Sequence, residues 1–208
     1  MDAFIKAFVV LFVVVDPIAI APMYLSFTHN NTAQQRKQMA IKGVMLAAMM
    51  LLVFYLFGEW LLRVMGISIP AFRIAGGILL MLIAIDMILV YQSAIRSTTV
   101  IEQQEAEQKQ DISVFPLAFP LISGPGALTT ALLMASNTTS NMQMLLMVGV
   151  ILFIMLLTLV TLLLAPRVVR IIGETGTNVV SRLFGLVLAA LAVQYIIDGV
   201  KSAFFASP

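Results

Sequence analysis

Two short segments carry the residue types from which a polar site could be built inside an otherwise apolar chain. One reads Asp16-Pro17-Ile18-Ala19-Ile20-Ala21-Pro22, the other Pro120-Leu121-Ile122-Ser123-Gly124-Pro125-Gly126-Ala127. Proline inside a helix deletes a backbone hydrogen bond and collides with the carbonyl four residues back, and adjacent glycine permits unwinding. In lipid, each freed N–H or C=O costs several kcal/mol unless protein, water or a ligand satisfies it. Two such breaks must therefore pair with each other or face a polar cavity. The N-terminal end of a half-helix offers free N–H groups and about half a positive charge, which suits a carboxylate; a C-terminal end offers carbonyls, which suit an ammonium group or a cation. Facing breaks would hold both ends of a zwitterion such as an amino acid.

Gly126 and Ala127 are the expected amide donors, because small side chains let a ligand reach the main chain, with hydroxyl contacts from Ser123, Thr129 and Thr130. Pro17, Gly124 and Pro125 shape the breaks themselves. Asp16 is the strongest single candidate. An acid over a dozen residues inside an apolar run is costly without a substrate amine, a proton or an arginine beside it. Asp86 lies near the inner end of the third apolar run, where it is a proton or cation site, a partner for Arg96 or a carboxyl in interfacial water. Proline and glycine are common in membrane helices and often only kink or pack. The matched pair of breaks, beside an intramembrane acid, tips the reading toward function.

The remaining polar residues read more plainly. Gln194 and Asp198 share one helical face, Arg73 and Arg182 anchor span ends, and Gly76, Gly77 and Gly185 let backbones approach. The fourteen methionines scatter as core filling, and His29 ends the first run, where it is solvated. With no cysteine and a single histidine, neither a thiolate site nor a histidine metal cluster can form, and no cofactor is expected. An intramembrane serine protease would need a histidine against its serine, yet His29 is remote in sequence from Ser123. An aspartyl protease needs two acids at one depth, and Asp16 and Asp86 lack a Gly-x-Gly-Asp context. Enzyme function and catalytic residues are therefore not expected.

The elements that position these groups follow from composition. Of 208 residues, 61% are apolar and 11% charged, against about 45–50% and about 25% in soluble domains. Six apolar runs are each long enough to span a bilayer: Ala3 to Phe27, Met39 to Leu62, Ala71 to Tyr91, Val114 to Ala135, Met142 to Leu164 and Val179 to Phe204. The expected fold is an all-α membrane protein of six transmembrane helices. Residues 92–113, with Glu102, Glu105, Glu107, Lys109 and Asp111, form a polar linker between repeats 1–91 and 114–208. Each half opens with a Pro/Gly-broken span, continues with an unbroken one and closes with a span that begins Arg73-x-x-Gly76 or Arg182-x-x-Gly185. Three is odd, so a second copy enters from the opposite side and the repeats are inverted, the symmetry from which alternating access is built. With both termini outside, the inner loops hold Arg36, Lys37, Lys42, Arg96, Lys109, Arg167, Arg170 and Arg182, leaving Lys6, Arg63, Arg73 and Lys201 outside; the positive-inside rule favours that orientation. Scattered basic residues beside spans exclude nucleic acid as a partner. The first run lacks a basic leader and a cleavage site, and is read as a retained span.

These features make a secondary transporter the preferred reading. A channel or passive pore could use the same broken helices, and a non-transporting scaffold is the third alternative. The Asp16-Pro17-Ile18 to Pro22 segment and, more specifically, the Pro120-Leu121-Ile122-Ser123-Gly124-Pro125-Gly126-Ala127 segment resemble those of the MarC family, also described as small neutral amino acid transporters, and the resemblance covers essentially the whole chain. It implies a protein of the bacterial or archaeal cytoplasmic (inner) membrane that takes up or exports glycine, alanine or similar solutes, with protons as the candidate driving ion. The family's first motif usually has glycine two residues after the proline; here Ala19 stands there, which reduces close backbone approach at that break.

Overall fold

The computed structural model describes residues 2–89, 111–136, 138 and 140–204. Their secondary structure is helical throughout: α1 (Asp2–Val15), α2 (Pro17–Phe27), α3 (Ala33–Val64), α4 (Ile69–Leu89), α5 (Ser113–Ile122), α6 (Pro125–Ser136), α7 (Asn141–Leu163) and α8 (Ala165–Phe204). Five helical stretches are long and apolar enough to cross a bilayer, the first being α1 and α2 together over Phe4–Phe27. The α5–α6 pair, bent by 58° at its break, makes a sixth if it counts as one crossing.

Local chemistry sets the ends. Thr32 caps α3 in a reciprocal box, its Oγ1 accepting from the Gln35 amide while Gln35 Oε1 accepts from the Thr32 amide at 2.9 Å. At the other end Gly66 takes φ 70°. Its N–H donates to Arg63 O and that of Ile67 to Leu62 O, which satisfies the last carbonyls as a Schellman turn. Ser140 caps α7 by accepting from the Gln143 amide.

What faces outward is hydrocarbon. Met45, Met49, Phe57 and Trp60 on α3, Leu145, Phe153 and Leu156 on α7, and Leu183 and Leu186 on α8 are all exposed. A surface so continuously apolar suits lipid rather than water. The interior is filled by α1 and α6, whose Leu11, Val15, Ala131 and Leu133 have almost no exposure.

The packing falls into crossed sets. α3 runs in the same direction as α5 and α6: Gly43 abuts Leu117, Met50 reaches Ser123, and Gly58 abuts Leu132. α7 packs against α1 and α2, α4 against α6, and α8 against α2. α4 and α8 lie antiparallel in close contact, with Gly77 against Ala192 and Ile196, Gly185 against Ala84 and Ile88, and Gly199 against Pro70 and Ile74. Absent side chains are what let these backbones approach.

Several sequence-based expectations differ in detail. Pro22 does not interrupt its span: α2 continues through it to Phe27, and the break is at Asp16–Pro17 alone. The fourth span carries an additional irregularity. Phe115 and Phe119 are extended, each precedes a cis proline (Pro116, Pro120), and the helical turns are widened so that the Leu117 and Ser123 amides donate to Ile112 and Ala118 carbonyls, five residues back. The last helix starts well before Val179, at Ala165, and is broken at Gly173, where φ is 68°. Of the linker expected over 92–113, Arg96, Glu102, Glu105, Glu107 and Lys109 lie outside the described residues, as does Tyr91 at the end of the third run. Asp111 is described: it accepts from the Ser113 amide and hydroxyl at the head of α5.

Candidate functional site

Both breaks fall at the middle of their spans. Asp16 is twelve residues past Phe4 and eleven before Phe27 in the first. In the second, Ser123 and Gly124 separate α5 from α6. The end of α1 touches the start of α6, where a Cβ built on Gly126 would lie 3.4 Å from Val14 Cγ1. α2 packs in turn against α5. The two broken spans thus lie side by side in the core, with the end of α1 against the head of α6.

The first break is capped from within. Asp16 is fully buried and takes a left-handed conformation, φ 46° and ψ 67°, which aspartate tolerates because its short polar side chain bonds locally. Its Oδ1 accepts from the Ala19 amide at 3.3 Å and its main-chain oxygen from the same amide at 3.1 Å. Oδ2 accepts from the Ser181 hydroxyl on α8 at 3.0 Å. Pro17 opens α2 and has no N–H to return to the last turn of α1. A carboxylate therefore already occupies the positive end of α2.

The second break has no such cap. Gly124 stands before Pro125 as Asp16 stands before Pro17, and it has no side chain to offer. A Cβ there would overlap the Pro120 carbonyl oxygen. The first helical bond of α6 runs from the Leu128 amide to Gly124 O at 3.0 Å, which leaves the amides of Gly126 and Ala127 without an intrahelical acceptor. No hydrogen bond among the described residues ends on either one. One turn further, on the face that Gly126 occupies, Thr130 is fully buried and its Oγ1 has no hydrogen-bond partner among the described residues. The Cα–Cβ bonds of a helix tilt toward its N-terminus, which directs the Thr130 side chain toward the turn that Gly126 begins.

The other expected residues have definite places. Gly126 abuts the end of Ile83, with a Cβ there 2.5 Å from Ile83 Cδ1; its missing side chain makes room for protein in this conformation. Thr129 turns its methyl onto Gly76 of α4. Ser123 shares its single proton between Ala118 O, at 2.7 Å, and Met50 Sδ, at 3.2 Å, and so folds back on its own helix. Ala127 is buried beside it at the head of α6. Asp86 is half-buried in the last turns of α4, and its expected alternative partner Arg96 lies outside the described residues. No group of three histidine, cysteine, aspartate or glutamate side chains that could hold a metal ion occurs among the described residues. Ser181 is the site residue that sequence reasoning missed: a serine beside Arg182 in a long helix gives no local sign that it meets Asp16.

Apolar helices facing outward, with two broken segments packed together among buried hydroxyls and a buried acid, define a polytopic integral membrane protein. The chain belongs to the MarC family: the family model described as "MarC family integral membrane protein" matches residues 1–204. It is 38% identical over 203 residues to a UPF0056 membrane protein of Methanocaldococcus jannaschii, with 98% of each chain covered. It is 33% identical over 201 residues to the UPF0056 membrane protein YhcE of Escherichia coli, covering 97% of this chain and 93% of that one. Bacillus subtilis has a relative named UPF0056 membrane protein YvbG, 34% identical over 201 residues and covering 96% and 95%. No solved structure matches the chain.

Proposed function

We propose that the chain is a secondary transporter that carries small neutral amino acids or similar small zwitterions across the membrane, unmodified, by alternating access. The observation that carries this reading is the difference between the two breaks. Asp16 supplies the head of α2 with a carboxylate, whereas the head of α6 presents the Gly126 and Ala127 amides and the Thr130 hydroxyl with no hydrogen-bond partner among the described residues. A solute carboxylate would complete α6 as Asp16 completes α2, drawn by the helix-end charge. Its ammonium group would face the end of α1, where carbonyls lose a donor at Pro17 and where Asp16 adds negative charge. Asp16 and Asp86 are the proposed proton-exchanging acids.

Alternating access is supported by how the halves exchange contacts. The second helix of each half packs on the broken span of the other, the third of each on the later piece of the other's broken span, and the two third helices lie antiparallel. That is the pattern expected of two inverted copies. The proposed setting is a bacterial or archaeal cytoplasmic membrane with both termini outside.

Thermal unfolding of the purified chain against alanine, ethylamine and propionate tests the zwitterion claim. Only alanine should stabilise, by about 2.7 kcal/mol at a hundred times its dissociation constant. Counterflow in proteoliposomes tests the carrier: preloaded alanine should accelerate entry of labelled alanine, and flux that never saturates would leave a pore instead.

A further inference from the structure

A second polar site lies away from the two breaks, at the edge of the bundle. Gln35, Gln38, Lys42 and Met45 follow one another at heptad spacing along one face of α3, and beside them Asp111 leads into α5; with Ile41 they line an open cleft of about 460 Å³. The face changes character along its length. Gln35 and Gln38 belong to the polar first turns, Lys42 is the last charge before the apolar body of α3, and Met45 is exposed on the outer surface. From Gln35 to Met45 is about 15 Å at 1.5 Å per residue, which spans a headgroup layer and the first carbons below it.

The donors and acceptors here are unevenly committed. Gln35 Oε1 already accepts from the Thr32 amide and hydroxyl, so only its N–H groups remain to be offered. Lys42 Nζ donates to Asp111 Oδ2 at 2.6 Å and has two further protons. Asp111 Oδ2 keeps a second acceptor position. The cleft thus shows a donor pair and a carboxylate side by side, with no net charge. That complements a zwitterionic headgroup carrying N–H donors, and an anionic headgroup less well.

We propose that this cleft seats a phosphatidylethanolamine headgroup, its phosphate accepting from Lys42 and Gln35, its ammonium donating to Asp111, and an acyl chain lying over Ile41 and Met45. Choline bears no N–H, and glycerol brings no positive charge for Asp111. The lysine and carboxylate need not part to admit the lipid, because each has bonding capacity left.

The test is thermal unfolding of the full chain in detergent micelles doped with palmitoyl-oleoyl phosphatidylethanolamine, its N-methyl and N,N-dimethyl derivatives, phosphatidylcholine or phosphatidylglycerol. Stabilisation should persist while one N–H remains and drop at phosphatidylcholine, with phosphatidylglycerol below phosphatidylethanolamine. Asp111→Asn should abolish the ethanolamine-over-choline difference, and Lys42→Gln should weaken both. Equal shifts from ethanolamine and choline lipids, a larger one from phosphatidylglycerol, or an unchanged difference in Asp111→Asn would each overturn the assignment. The methylation series needs only the unaltered chain, so it decides the matter even if a variant fails to fold.

Discussion

The hydroxyl of Ser181 donates to Asp16 Oδ2 at 3.0 Å, joining residues 165 positions apart and tying α8 to the break between α1 and α2. A hydrogen bond to a buried carboxylate contributes about 1–3 kcal/mol, so Ser181→Ala should lower the unfolding midpoint by a few degrees without disturbing insertion. Asp16→Asn should retain the cap, since asparagine serves at an N-cap and tolerates the left-handed conformation. Asp16→Ala loses cap and conformation together, at a cost of about 2–3 kcal/mol. Thermal scans should rank the wild type first, then Asp16→Asn, then Asp16→Ala, while transport is lost in both Asp16 variants.

Thr130 separates binding from folding. Its Oγ1 is buried without a hydrogen-bond partner among the described residues, a condition that costs about 1–3 kcal/mol. Thr130→Val keeps the shape and removes the hydroxyl. The ligand-free protein should therefore be as stable as the wild type, or more so by about 1 kcal/mol, while stabilisation by alanine shrinks. A variant that unfolds earlier without ligand and responds to alanine as the wild type does would show the hydroxyl to be structural.

The apolar runs and both mid-span breaks were legible in the sequence because their signals are local: hydrophobic length, and proline beside aspartate or glycine. Local signals also account for the errors. Pro22 looks like Pro17, yet it lies within the first turns of α2 and the helix runs through it. Gly173, between Ile172 and Glu174, marks a break that hydropathy placed outside any span. The partner of Asp16 could not be read at all, because the Ser181 contact depends on how α8 crosses α2. Nor could the contact of Gly126 with Ile83, which depends on how α4 packs against α6.

The Lys42–Asp111 pair makes a pH prediction of known sign. Hydrogen bonding from Lys42, then from Ser113, lowers the Asp111 carboxyl from its ordinary 3.8 to about 2. A depressed carboxyl contributes stability that is complete above its unfolded value and is lost as pH falls through the folded one. Both side chains are about half exposed, so the contribution is below about 1 kcal/mol. Midpoints of the wild type and Asp111→Asn should differ slightly at pH 7 and converge as pH falls from about 4 to about 2. Curves that stay parallel over that range would show that the pair contributes no pH-dependent stability.

Glycine substitutions should sort by what faces each one. A Cβ at Gly77 would lie 2.8 Å from Ala192 O and one at Gly185 3.0 Å from Ala84 O. Main-chain oxygens cannot turn aside as a side-chain tip can, so Gly77→Ala must push α4 and α8 apart, at a cost of about 1–3 kcal/mol, and Gly185→Ala somewhat less. Gly149 lies inside α7 with nothing within 4 Å of the added atom, so Gly149→Ala should stabilise by up to about 1 kcal/mol through helix propensity alone. Opposite shifts in one set of thermal scans would separate close packing from simple backbone freedom. If Gly77→Ala matched Gly149→Ala, the antiparallel contact of α4 and α8 would have to be looser than these distances imply.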